Sequence, residues 1–176
     1  MCGICGVFTR VETEIPNTLR IMNDAIVHRG PDDEGYFQHQ SVGLAMRRLS
    51  IIDPAGGHQP IHSNDNRYVI VFNGEIYNFR YLRKRYLSHT PFKTKTDTEV
   101  VLQLFEQFGE SSLDLLDGIF AFAIYDHQTK EIVLARDPMG VKPLFYYKDE
   151  YRLCFSSDLK SFHGLNFLDL ELNHDM

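Results

Sequence analysis

The sequence predicts an α+β domain of stacked sheets flanked by helices. Three observations carry that expectation. Several strand-like runs are apolar on both faces, Ile119-Phe120-Ala121-Phe122-Ala123-Ile124 above all, and a strand buried on both sides needs one layer above it and one below. Helical and strand-like segments alternate along the chain. The 176 residues carry 43% hydrophobic and 24% charged side chains, an ordinary globular balance and the length of one domain spanning 1–176.

In chain order, Cys2 to Phe8 is short, apolar and glycine-spaced, a buried strand. Pro16 opens a helix with Leu19, Met22 and Ile26 on one face. His28-Arg29-Gly30-Pro31-Asp32-Asp33 reads as a turn. Val42 to Ile52 is strand-like until Asp53-Pro54-Ala55-Gly56-Gly57 breaks it. Tyr68-Val69-Ile70-Val71-Phe72 is a buried strand ending at Asn73-Gly74. Asn78 to Leu87 is helical, with Arg80, Arg83, Lys84 and Arg85 as a solvated basic face. Thr96-Asp97-Thr98-Glu99 is a capping box before Val100, Val101, Leu104, Phe105 and Phe108, and Gly109 fits just past the end of that helix. A short amphipathic turn around Leu113 and Leu116 follows. Then come strands Ile119 to Asp126 and Glu131 to Arg136, and a hairpin from Leu144 to Phe155 around Lys148-Asp149-Glu150.

Charge and composition exclude several function classes. A net charge of −6 makes nucleic acid or an anionic membrane a poor partner. The longest strictly apolar run, Ile119 to Tyr125, has seven residues, and a membrane helix needs about 20. No basic region precedes the N-terminal apolar stretch, which argues against a secretory signal. Three cysteines are too few for a disulfide scaffold, and the expected setting is a reducing cytoplasm.

Five positions could carry chemistry. Cys2 follows Met1 and precedes Gly3, so removal of Met1 would leave a thiol and a free α-amine on one residue. Such an amine, with a pKa of about 7.7–8.0, can act as base for its own side chain. The plain alternative is an ordinary residue near a terminus. Cys2 and Cys5 also form C-x-x-C, but an apolar strand follows directly and His58 and His62 are the nearest histidine pair, so redox and zinc readings are weak. Asn73-Gly74 is either a hairpin turn or an amide beside a glycine N–H, a pair able to stabilise an oxyanion. Arg48 is either a surface charge or a bidentate carboxylate ligand. Asp97, in the first turn of a helix, either complements the dipole or is kept ionised by it to hold an ammonium group.

Taken together the motifs resemble the N-terminal glutaminase domain of the glutamine-hydrolysing asparagine synthetase family, a class II glutamine amidotransferase. The carriers are Met1-Cys2-Gly3-Ile4-Cys5-Gly6-Val7-Phe8, His28-Arg29-Gly30-Pro31-Asp32, Arg48-Leu49-Ser50-Ile51-Ile52-Asp53, Gly57-His58-Gln59-Pro60 and Phe72-Asn73-Gly74-Glu75-Ile76-Tyr77-Asn78. Thr96-Asp97-Thr98-Glu99, Gly118-Ile119-Phe120-Ala121-Phe122-Ala123, Arg136-Asp137 and Gly140-Val141-Lys142-Pro143-Leu144 continue it. The resemblance implies a four-layer α-β-β-α sandwich of the N-terminal-nucleophile hydrolase type. It implies that Cys2 attacks the side-chain amide of L-glutamine, that Asn73 and Gly74 form the oxyanion hole, and that Arg48 binds the α-carboxylate. Asp97 with Glu75 would bind the α-amino group, and backbone groups at Ile51 and Ile52 would complete the pocket. No metal or cofactor is implied for this chain; ATP and Mg would belong to a separate synthetase domain, the implied partner.

The family usually has a histidine where Met46 stands and an acidic residue near Asp158. Full-length synthetases also continue into an ATP-using domain with a Ser-Gly-Gly-x-Asp-Ser loop, which this sequence lacks. A fragment, a truncated gene product or half of a split enzyme is therefore expected. The competing expectations are a glutamine-binding regulatory subunit and a glutaminase partner for a different acceptor.

Overall fold

Alternation along the strands decides the layering, because successive side chains point to opposite faces. The computed structural model describes residues 2–49 and 57–168. One sheet runs β2 (Asp33–His39), β3 (Val42–Arg48), β1 (Gly3–Thr9), β9 (Arg152–Ser156), β8 (Phe145–Lys148). The other runs β4 (Ile61–His62), β5 (Tyr68–Ile76), β6 (Gly118–Asp126), β7 (Ile132–Arg136), and every pairing within both sheets is antiparallel.

The sheets face each other across Ile4, Leu44, Met46, Val71, Ala123 and Phe155. On the far side of the first sheet, Cys5, Val7 and Ala45 meet Ile15, Leu19 and Met22 of α1 (Ile15–Asp24). On the far side of the second, Ile70, Phe72 and Phe122 meet Leu82 of α2 (Phe79–Tyr86) and Val100 and Leu104 of α3 (Asp97–Phe108). The result is helix, sheet, sheet, helix: the four-layer α+β sandwich.

Helix α3 shows how local chemistry sets an element. Thr96 caps it, accepting a hydrogen bond from Glu99 N at 3.3 Å, and Gly109 ends it at φ 59°. The Glu99 carboxylate completes only half of a capping box. It accepts from Lys93 N at 2.8 Å and Thr94 N at 2.6 Å, and so ties down the loop that feeds the helix.

The departures from the sequence reading include three segments near the site-bearing strands. Strand β2 is unanticipated: its exposed Glu34, Tyr36 and Gln38 alternate with half-buried positions, which gives an edge strand little apolar signal. Strand β3 ends at Arg48, short of the expected Ile52; Ser50 to Gly56 lie outside the described residues. Asn73-Gly74 is no hairpin turn. Strand β5 runs straight through it, with Gly74 opposite Phe120. A Cβ at Gly74 would lie 2.4 Å from the Ile119 carbonyl oxygen, so the glycine serves a close strand approach.

Candidate active site

The same alternation gathers the polar residues. Asn73 follows Val69 and Val71 on the inter-sheet face of β5, and Arg48 follows Leu44 and Met46 on that of β3. Gly3 pairs with Arg47, which sets Cys2 beside Arg48 at the same end of the first sheet. Cys2, Arg48, Asn73, Gly74, Glu75 and Asp97 line one cavity of about 120 Å³ at that end. Ile51 and Ile52 lie outside the described residues.

The nucleophile candidate is held by backbone. Leu49 N donates to the Cys2 sulfur at 3.4 Å, and the thiol reaches the Leu49 carbonyl at 3.7 Å. The other two thiols are buried. Burial pushes Cys154 up to about 12 and Cys5 upward as well, so neither ionises readily near neutral pH.

Two donors belong to residues that line the cavity. Asn73 is 1% exposed, and its Nδ2 has no hydrogen-bond partner among the described residues. Such a group normally costs about 1–3 kcal/mol when left unsatisfied. The second donor follows from ladder geometry. Phe120, opposite Gly74, turns both backbone groups toward β7: its carbonyl accepts from Asp137 N at 2.8 Å and its N–H donates to Asp137 Oδ2 at 3.2 Å. Gly74 N–H is therefore not spent on β6 and faces the open edge of β5. Its neighbours along that edge are occupied. Phe72 N donates to Gln59 Oε1 at 2.7 Å, and Ile76 N donates to Asp97 Oδ2 at 2.9 Å.

Asp97 stands at the first turn of α3, buried, with its second oxygen accepting from Thr98 N at 2.9 Å. The helix end alone suggests a readily ionised carboxylate. The structure corrects the direction: burial raises the carboxyl above its ordinary value, and the Ile76 and Thr98 N–H groups offset this only in part. Glu75 is exposed at the rim and adds to the rise.

Gln59 and Lys142 also line the cavity and lie outside the site residues expected from the sequence. Gln59 grips Phe72 by both backbone groups, its Nε2 donating to the Phe72 carbonyl at 3.2 Å. Lys142 arrives on a loop folded by Asp137, which accepts from Val141 N at 2.9 Å and Lys142 N at 3.0 Å. Both sit in motifs quoted above, Gly57-His58-Gln59-Pro60 and Gly140-Val141-Lys142-Pro143-Leu144, and that was the available signal. Among the described residues no group of three or more His, Cys, Asp or Glu is placed to hold a metal ion.

The model of the glutamine amidotransferase domain family matches residues 1–176. The chain belongs to that family. This amidotransferase domain is 41% identical over 165 residues to asparagine synthetase [glutamine-hydrolyzing] 2 of Bacillus subtilis, covering 92% of this chain and 22% of that protein. It is 39% identical over 164 residues to asparagine synthetase [glutamine-hydrolyzing] of Zea mays, covering 92% and 28%. The amidotransferase domain thus spans well under half the length of these curated relatives. Among solved structures, glutamine phosphoribosylpyrophosphate amidotransferase from B. subtilis superposes with a TM-score of 0.72 at 21% identity, over 92% of this chain and 43% of that one. That likeness extends to the fold.

Proposed function

We propose that this domain hydrolyses L-glutamine to glutamate and ammonia through Cys2, as the ammonia-supplying half of asparagine synthesis. The observation that carries the reading is the meeting of a thiol, two donors uncommitted among the described residues and opposite charges in one cavity of about 120 Å³. That volume is well below the roughly 300–1,000 Å³ of a drug-sized ligand's site, which suits a single amino acid.

With Met1 removed, the α-amine of Cys2 takes the thiol proton and the sulfur attacks the amide carbon of glutamine. Negative charge develops on the amide oxygen and is met by Asn73 Nδ2 and Gly74 N–H. The α-amine returns its proton to the amide nitrogen, the carbon–nitrogen bond breaks, and ammonia leaves a thioester on Cys2. Water, deprotonated by the same amine, attacks the thioester and releases glutamate. Arg48 pairs with the substrate α-carboxylate, Asp97 and Glu75 with its α-ammonium, and backbone groups at Ile51 and Ile52 close the pocket.

These steps use no metal or nucleotide. Activating the acceptor would require ATP and Mg on a separate synthetase domain, the proposed partner, in line with the greater length of the relatives. We place the domain in the cytoplasm: its three cysteines are free, and no described helix is long and apolar enough to cross a membrane. The test is steady-state ammonia release. Cys2→Ala should abolish it, whereas Cys5→Ala and Cys154→Ala should retain most of it. Equal losses from Cys2 and Cys5 substitution would return the function to the C-x-x-C pair.

A further inference from the structure

A nucleophile on the first residue of a chain has a mechanical problem. It is tethered on one side only, and chain ends fray unless something ties them down. Here the tie comes from far along the sequence. Ser157 grips β1 two residues after Cys2: its N–H donates to the Ile4 carbonyl at 2.9 Å and its hydroxyl accepts from Ile4 N at 3.0 Å. Next to it, Asp158 faces Arg29, Oδ2 lying 3.8 Å from Nη1. Arg29 in turn donates from Nε to the Cys2 carbonyl oxygen at 3.2 Å.

Each link is fixed by its surroundings. Asp158 Oδ1 accepts from Lys160 N at 3.0 Å, capping the short 3-10 turn Leu159–Phe162, and Oδ2 also lies 3.2 Å from His28 Nε2. Arg29 is 12% exposed in its side chain, and its Nη2 is buried with no hydrogen-bond partner among the described residues. A guanidinium with an uncommitted arm depends on its remaining contacts for its orientation. Asp158 supplies the only ion pair of Arg29 among the described residues.

We propose that Asp158 is a positioning residue for the glutaminase site, acting through Arg29 to hold the Cys2 carbonyl and thereby to aim the Cys2 sulfur and α-amine. It touches neither substrate nor sulfur. Its carboxylate sets Arg29, and Arg29 sets the one peptide unit that carries the nucleophile. The acidic character at this position is then a requirement of the first residue, met from the other end of the domain.

The proposal rests on the glutaminase reading, and the test separates the two. Asp158→Asn keeps size and capping ability and removes the charge. It should lower kcat roughly 10- to 100-fold, the scale of a small misplacement of reacting groups, with KM within about twofold. Asp158→Glu should recover most of that loss. Alkylation of Cys2 by iodoacetamide, read by peptide mass spectrometry, should be slowed about threefold or more in Asp158→Asn at pH 7. In an Arg29→Lys background, Asp158→Asn should add little, because the two residues act in series. Unchanged alkylation overturns the proposal, as do effects that add fully with those of Arg29→Lys. A merely structural Asp158 would lower the unfolding temperature and leave the rate per folded molecule unmoved, which also overturns it. An active wild type with a normal Asp158→Asn sinks the positioning role alone. Slowed alkylation in a chain that releases no ammonia sinks the glutaminase reading alone.

Discussion

Asn73→Ala should separate activity from stability. In the resting protein Asn73 Nδ2 is buried without a partner among the described residues, so removing it breaks no hydrogen bond there. It relieves part of an unsatisfied-donor penalty of about 1–3 kcal/mol while losing some packing in a buried position. The two effects oppose each other, and the unfolding temperature should stay within a few degrees of wild type or rise. Catalysis should behave otherwise. Loss of one oxyanion donor costs about 10²–10³ in kcat, near 2.7–4 kcal/mol, because the donor is used only when charge develops. The assays are ammonia release across a range of glutamine concentrations and thermal unfolding of the same preparation. A change confined to KM would move Asn73 to ground-state binding. A large fall in unfolding temperature with kcat intact would make Asn73 a structural amide and refute the reasoning.

Two further outcomes follow from the charged clamp. Burial raises the folded-state pKa of Asp97, so its ionised form is disfavoured in the free domain. Binding of the α-ammonium needs that ionised form, so kcat/KM should rise with pH through a midpoint above the ordinary aspartate value, and Asp97→Asn should remove that limb. The stability sign is opposite: a carboxyl whose pKa is raised by folding contributes stability at low pH that is lost as pH climbs through the raised value. A kcat/KM midpoint at or below the ordinary aspartate range would contradict the assignment. Arg48→Ala should weaken kcat/KM by about 2 kcal/mol, the scale of breaking a buried charge contact. That loss should shrink for a glutamine analogue without the α-carboxylate; an undiminished loss would mean that Arg48 holds the fold.

What the sequence disclosed depended on how local the cause was. Strand β6 and helix α3 were legible because a two-sided apolar run, a threonine cap and a terminal glycine act within a few residues. Strand β2 was not, since its polar alternation acquires meaning only beside β3. The Asn73-Gly74 pair was open to two readings because a hairpin turn and a close approach of paired strands both ask for glycine; only the position of Ile119 decides between them. Gln59 and Lys142 are brought to the cavity by loops, which no periodicity reports. Burial of Asp97 is likewise invisible from its place at a helix end, and it outweighs the local donors that favour the carboxylate.

The most direct measurement of the central claim is a mass map of the protein after reaction with a glutamine analogue that carries a diazoketone in place of the amide. Such a reagent needs both the α-group clamp and an activated thiol. The account predicts one adduct per chain, on Cys2, in molecules that have lost Met1, with protection by glutamine and no labelling of the buried Cys5 or Cys154. Adducts on Cys5 or Cys154, or full ammonia release from a preparation that keeps Met1 throughout, would contradict it.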